Sequence, residues 1–273
     1  MQVLDAIIIN NKKISKNYCL LKLQVESEKN LGIPGQFYQI QVDSSKPKLR
    51  VPISIFNIEK NHIYFLMKII GEKTQQLANM KNKKSLNIFG PLGNGFNQNN
   101  LFQKNVQREE MISKYVFVTG GVGFAPLYFL YNSLPDEDIT WYHGGTTKTE
   151  VSFLNTFIKD INIYTNDGSY GKQGTVVDAY QSKLCASVRD GISVYRGTSQ
   201  IVVACGPYMM LKTLNDVLQK NTTPLFVSFE SYVACGVGVC YGCAIKVKNE
   251  LSYKYVRVCK EGPVFNAEDI VWD

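Results

Sequence analysis

Histidine is nearly absent from this chain: His62 and His143 are the two in 273 residues. They stand too far apart to build a zinc site, and His143, at the end of an apolar stretch, reads as a satisfied strand-end residue. Long apolar runs are missing as well. The most apolar stretch, Tyr115 to Tyr131, is broken by three glycines and Pro126, so it is not expected to cross a bilayer. The opening Met1-Gln2-Val3-Leu4-Asp5 puts an acid where an export signal carries a cationic start. No block combines basic and aromatic residues as a nucleic-acid surface does. The net charge of +7 is spread through Asn- and Lys-rich sequence, which serves solubility and suits anionic cofactors or an acidic partner. The expectation is a cytoplasmic protein that binds neither membrane nor nucleic acid.

Cysteine, by contrast, is concentrated. Four of seven lie near the C-terminus, in Ala234-Cys235-Gly236-Val237-Gly238-Val239-Cys240-Tyr241-Gly242-Cys243 and Val258-Cys259-Lys260. Four residues separate the first two, two the next pair, and a longer excursion leads to the fourth. This is the plant-type [2Fe–2S] spacing. Gly236, Gly238 and Gly242 allow positive φ and close backbone approach, so amide N–H groups can turn towards a cluster's sulfurs. A four-cysteine zinc site usually shows two separated CxxC pairs. Disulfides need an oxidising compartment, and the other three cysteines, Cys19, Cys185 and Cys205, suit a reducing one. The expected metal ligands are therefore Cys235, Cys240, Cys243 and Cys259.

The chain is long enough for two domains and an appendage. From Asp5 to Leu86 short β-branched and aromatic stretches follow one another: 6–9, 18–25, 36–42, 51–56 and 62–70. Their spacing implies an antiparallel β-barrel, with one helix over 74–80 capped by Thr74. Pro52 inside a strand asks for an edge, and Gly90-Pro91-Leu92-Gly93-Asn94-Gly95-Phe96 spends three glycines on one loop. Beyond residue 113 strand and helix signals alternate: strands at 114–120, 139–144, 161–164 and 201–206, helices near 151–158, 175–184 and 208–219. That alternation implies a doubly wound parallel sheet. Its first turn, Gly120-Gly121-Val122-Gly123-Phe124-Ala125-Pro126, begins like a dinucleotide fingerprint, with Pro126 in the third glycine's place. Bare N–H groups at such a turn suit a pyrophosphate. An acidic ribose ligand would mark NAD; Glu150 lies slightly late, and NAD against NADP stays open. So do two readings of the loop Asp167–Gly174, connection or ligand contact, and two of Cys205, small buried hydrophobe or reacting neighbour.

Nicotinamide delivers two electrons as a hydride, whereas a [2Fe–2S] cluster accepts one at a time. A chain handling both needs a flavin between them, and the barrel is the region left to hold it. At this point the residues carry a resemblance. Pro34-Gly35-Gln36-Phe37, Arg50-Val51-Pro52-Ile53-Ser54-Ile55, Gly90–Phe96, Asp167-Gly168-Ser169-Tyr170-Gly171, Cys205-Gly206-Pro207 and Arg257–Phe265 resemble the ferredoxin–NADP reductase superfamily. Within it they resemble most the electron-transfer subunits of class 1B dihydroorotate dehydrogenase, over nearly the whole chain.

The resemblance implies an FAD-binding β-barrel domain over 1–103, an NAD-binding α/β domain over 104–224 and a small [2Fe–2S] domain over 225–273. It implies FAD along Pro52, Ile53 and Ser54, with Lys68, Ile69, Ile70, Gly71 and Thr74 around its ring and pyrophosphate. Two departures stand out: Val51 replaces a second arginine, leaving Arg50 for the phosphate, and Lys73 replaces a glycine. NAD is implied at Gly120, Gly121, Gly123, Pro126, Gly206 and Pro207, with Cys205 facing the nicotinamide as the catalytic residue. No residue here resembles a base for dihydroorotate. The implied partner is therefore an FMN-containing catalytic subunit, two copies of each chain assembling as a heterotetramer in pyrimidine biosynthesis. A flavin and iron–sulfur reductase serving ferredoxin, sulfide or polysulfide, or an oxygenase is the alternative.

Overall fold

The structure, a computed structural model, describes residues 1–42, 49–96, 114–134, 137–186, 188–189, 192–193, 200–219, 223–250 and 252–273. Its first sheet is made of β1 (Gln2–Lys13), β2 (Tyr18–Gln24), β3 (Phe37–Ile40), β4 (Val51–Ser54), β5 (Asn57–Glu59), β6 (His62–Lys68) and β7 (Ser85–Leu92). The order is β4-β3-β7-β1-β2-β6-β5, antiparallel throughout. The edge strands β4 and β5 are joined by Ile55 and Phe56 alone, so the sheet has to roll up to bring its edges together. The link completes the closure: the Ile55 N–H donates to the Gln36 carbonyl at 3.0 Å and the Phe56 N–H to Tyr64 at 2.8 Å. Alternation fills the inside, where Ile8, Leu21, Leu23, Tyr38, Ile40, Ile63, Phe65 and Ile88 are buried. Pro52 sits in the edge strand β4, where a missing N–H costs no ladder bond.

The helix of this domain runs Glu72–Ala78, two residues ahead of the expected start. Thr74 is not its cap. Gly71 takes that place, and the Thr74 hydroxyl reaches back to accept from the Ile70 and Gly71 N–H groups at 3.0 and 3.1 Å.

The second sheet follows the expected alternation. It contains β8 (Lys114–Gly120), β9 (Ile139–Gly145), β10 (Ile161–Thr165) and β11 (Lys172–Gln173). After a small hairpin of β12 (Val188–Arg189) and β13 (Ile192–Ser193), β14 (Gln200–Cys205) and β15 (Leu225–Ser228) return to it. The order β11-β10-β9-β8-β14-β15 is parallel, with β8 and β14 at the switch point. Helices Phe124–Asn132, Val176–Ala186 and Tyr208–Gln219 flank it. The helix expected near 151–158 is instead one α-turn, Lys148–Val151, continued as the 3₁₀ segment Ser152–Thr156. Buried Val151 and Leu154 lie three apart, a spacing that the tighter helix aligns on one side.

The C-terminal segment adds the hairpin β16 (Ala244–Lys248) and β17 (Tyr253–Arg257), then β18 (Val264–Asn266), which pairs antiparallel with β15. Both β15 and β18 thus belong to the second sheet, not to a separate segment beginning at 225. The other expected boundary, at 103, lies outside the described residues. The barrel and second sheet share one core: Phe56 stacks on Tyr128 at 4.3 Å and Tyr18 packs on Phe153 at 4.8 Å. Among the described residues no helix is long and apolar enough to cross a membrane.

Candidate electron-transfer site

The loop before β16 is shaped by Gly236 and Gly238, at φ +73° and +78°, conformations that side chains resist. Its turns aim N–H groups at sulfur. The Val239 and Cys240 amides donate to Cys235 Sγ at 3.3 and 3.4 Å, and Gly242 donates to Cys240 Sγ at 3.4 Å. Cys259 stands in the turn just after β17, and its amide donates to Cys243 Sγ at 3.5 Å. The four thiols therefore fall into two pairs, Cys235 with Cys240 and Cys243 with Cys259. Among the described residues no three His, Cys, Asp or Glu side chains are gathered into one metal-sized group. Burial works against ionising Cys235, but the Cys240, Val237 and Val239 amides outweigh it and bring the thiol down to about 6. Cys259 is pushed up to about 12 by burial and by its neighbour Cys243. Arg257 clamps the two halves: its guanidinium donates to the Gly238 carbonyl at 2.7 Å, lies 4.8 Å from the centre of the Tyr241 ring and pairs with Glu261.

A cavity of about 650 Å³ opens between the barrel, the second sheet and this segment. The barrel contributes Pro52, Ile53, Ser54, Lys68, Ile70 and Thr74; the turn after β14 contributes Gly206 and Pro207, with Cys205 beside them. Ser228, Phe229, Glu230, Tyr232, Val233 and Val258 close the side next to the cysteines. Its volume and largely apolar walls fit the ring system of a cofactor. Burial drives the Cys205 thiol well above its usual range, and Glu230 adds to this. Glu230 reaches open space within the cavity, yet surrounding protein raises its carboxyl, a shift that Lys68 partly offsets. Lys68 crosses to the second domain and binds Glu150 at 2.6 Å. Burial alone would raise the Glu150 carboxyl; Lys68 and the Thr146 amide outweigh it and hold the group ionised.

The glycine turn after β8 meets the turn after β14. A Cβ on Gly123 would lie 2.2 Å from the Cys205 carbonyl oxygen and 2.8 Å from the Gly206 nitrogen, so glycine alone lets the turns touch. Gly121 takes φ +55°. Pro126 occupies the first turn of its helix, where its absent N–H is no loss. This arrangement fits a dinucleotide at the switch point.

Other expected residues lie elsewhere. Arg50 turns away from the cavity and bonds the Asn87 carbonyl at 3.0 Å and the Gln41 and Asn87 side chains. Lys73 binds the Leu49 carbonyl on the surface. Ile69 and Gly71 flank the cavity without lining it. The loop Gly90–Phe96 does not line it either. The Asn94 amide donates to the Gly262 carbonyl at 2.6 Å, and a Cβ on Gly93 would meet Pro263 at 2.6 Å, so the loop docks the C-terminal segment. His143 is only half satisfied: Nδ1 lies 2.8 Å from the Thr119 hydroxyl, and buried Nε2 has no partner among the described residues. Cys19 is in the barrel core. Cys185 falls on the helix Val176–Ala186, its side chain outside the described residues.

Residues 230–271 match the iron-sulfur cluster binding domain of dihydroorotate dehydrogenase B. The electron transfer subunit of dihydroorotate dehydrogenase B (NAD(+)) from Clostridium acetobutylicum is 31% identical over 253 residues, 92% of this chain and 91% of the relative. Its counterpart from Bacillus cereus strain Q1 is 32% identical over 279 aligned positions, 99% of each chain. The chain belongs to this family of electron transfer subunits. Solved structures agree on the fold. An NADH-dependent reduced ferredoxin–NADP oxidoreductase superimposes with TM-score 0.76 at 24% identity, covering 98% of this chain and 90% of the other. A ferredoxin NADP+ reductase from Neisseria gonorrhoeae gives 0.63 at 13%, covering 81% and 92%.

Within that family framework several residues at the cavity carried no sequence motif: Ser228, Phe229, Glu230 and Tyr232. Their signal was positional, a Ser-Phe-Glu run between an apolar strand and Cys235.

Proposed function

We propose that Cys235, Cys240, Cys243 and Cys259 hold a [2Fe–2S] cluster, that the cavity holds the ring of FAD, and that NAD binds where the β8 and β14 turns meet. The chain is an NAD-dependent oxidoreductase subunit that relays electrons between NAD and a catalytic partner subunit in pyrimidine biosynthesis. One observation carries this reading. A single cavity is lined at one end by Cys205, Gly206 and Pro207 and at the other by Val233 and Val258, neighbours of the cluster cysteines.

Bound there, FAD exchanges two electrons with nicotinamide and one at a time with the cluster. The protein's own share is placement and exclusion of water. Cys205 ends β14 as a neutral thiol against the nicotinamide position. Ser54 and Lys68 line the cavity and would offer a hydroxyl and a cation to a flavin held there. Phe37, Leu66 and Phe229 keep the walls apolar. Glu230, with its raised carboxyl, can hold a proton at the cavity. We assign the partner an FMN and the oxidation of dihydroorotate to orotate, with two copies of each chain in the complex. That oxidation would release two electrons and two protons on the partner. A cluster held by the four cysteines would supply single-electron transfer, and NADH would carry away both electrons with one proton as hydride, the other proton passing to solvent. None of the six described cysteines is joined in a disulfide, and we place the chain in the cytoplasm.

Serine substitution of each ligand tests the assignment. The wild type should carry about two irons per chain, and Cys259→Ser should lose most of them. Reduction of FAD by NADH should persist while reduction of the partner's FMN stops. A Cys259→Ser chain with full iron and normal transfer to FMN would overturn the ligand set.

A further inference from the structure

Side chains on β3 alternate, placing Tyr38 and Ile40 inside the barrel and Phe37 and Gln39 outside. An outward glutamine on a barrel wall belongs in water, yet Gln39 is 2% exposed. The cluster loop covers it. The Gln39 side-chain amide donates to the Ala234 carbonyl at 2.9 Å, across 195 residues of sequence. Its oxygen stands 2.8 Å from the point where a Cβ on Gly236 would sit. One amide thus bonds the loop just before Cys235 and packs closely against it just after. Beside it, Phe37 packs in the same apolar cluster as Cys243, Val258 and Cys259. On the other side the backbone of Gln39 pairs with Pro52, which lines the cavity.

An apolar side chain would fill this place without the cost of burying an amide. The amide adds direction. Packing tolerates small slips of one surface over another, whereas a hydrogen bond to one carbonyl fixes the register of the loop on the strand.

We infer that Gln39 is a positioning residue for electron transfer, holding Cys235 and its loop in fixed register against the flavin-bearing strand. This rests on the assignment of the four cysteines as cluster ligands. Gln39 acts through the loop and exchanges no electron or proton itself.

Gln39→Met tests it in the full chain loaded with FAD and iron, because methionine keeps length and bulk and removes the donor. Iron content and FAD reduction by NADH should equal those of the wild type. The electron paramagnetic resonance spectrum of the reduced cluster should shift in its g-values. Transfer from reduced FAD to the cluster should slow by about tenfold, the factor that corresponds to about 1.4 kcal/mol. Wild-type spectrum and rate in Gln39→Met would overturn the inference alone. Joint loss of iron and flavin reduction would also overturn it, by making Gln39 a general support of the fold. A wild type that takes up no iron would overturn the ligand assignment and this inference with it.

Discussion

His143 is fully buried at the end of β9, and its Nδ1 shares the Thr119 hydroxyl with the Trp141 indole N–H, each at 2.8 Å. Burial lowers its pKa from 6.5 to about 3, with Glu150 pulling slightly the other way, so the ring is neutral in the native state. Between those values the unfolded chain binds a proton that the folded one refuses. Stability contributed by the neutral ring is therefore present above about 6.5 and lost on acidification, by about 1.4 kcal/mol per pH unit. Urea titrations between pH 6.5 and 5 should show this slope in the wild type and lose it in His143→Gln; equal slopes would refute it. Burial keeps the Cys205 thiol neutral too, here by raising its pKa. Cys205→Ala should slow FAD reduction by NADH by about 10- to 100-fold through misplaced nicotinamide, with iron content unchanged. Stopped-flow bleaching of the flavin reads this directly, and an unaltered rate would return Cys205 to a packing role.

Turns are the elements that matter most here. The β8 and β14 turns touch only because Gly123 lacks a Cβ. Gly123→Ala would drive that atom into backbone, which cannot step aside as a flexible side chain can. The expected loss is about 3 kcal/mol, read as a lower denaturant midpoint at constant m-value, together with a raised KM for NADH. Gly71→Ala is the control. Nothing lies within 4 Å of its Cβ position, and its φ of −158° suits any residue. Its stability should stay within about 0.5 kcal/mol of the wild type, so a drop in FAD affinity would report close approach of ligand to backbone. A large loss in the control and none in Gly123→Ala would contradict this account of the turns.

At the scale of the whole molecule the domains are interlocked. Lys68 and Glu150 form an ion pair between the barrel and the second sheet, with side chains 30% and 14% exposed. Glu150→Gln should cost about 1–2 kcal/mol, between the values for exposed and buried pairs. Hydrogen exchange should rise in both domains at their junction; a rise confined to one would mean the pair is local. The C-terminus is woven in more deeply. Asp273 binds Lys246 of the cluster hairpin at 3.0 Å, while its carbonyl accepts from Lys212 at 2.7 Å and Tyr208 at 3.1 Å on the helix after the nicotinamide turn. Deleting 225–273 would strip β15 and β18 from the second sheet and expose the edge of β14. The truncated chain should fail to accumulate as soluble protein, unlike the cysteine variants. A soluble fragment that reduces FAD with NADH would show the domains to be separable.

The four C-terminal cysteines were legible in the sequence as a set because their spacing is local: three stand on one glycine-rich loop, and the structure brings Cys259, sixteen residues beyond Cys243, against it. The antiparallel barrel and the parallel sheet were legible because period-two strands and alternating strand and helix signals are also local. The distant contacts were not. The pattern of β3 marks Gln39 as an outward polar residue, and only the loop carrying Ala234, 195 residues later, buries it. Arg50 reads as a phosphate ligand until Asn87 is found beside it. Leu225–Ser228 reads as the start of an appendage until it pairs with β14. Sequence periodicity reports which face of an element is buried, and the tertiary structure alone decides what buries it.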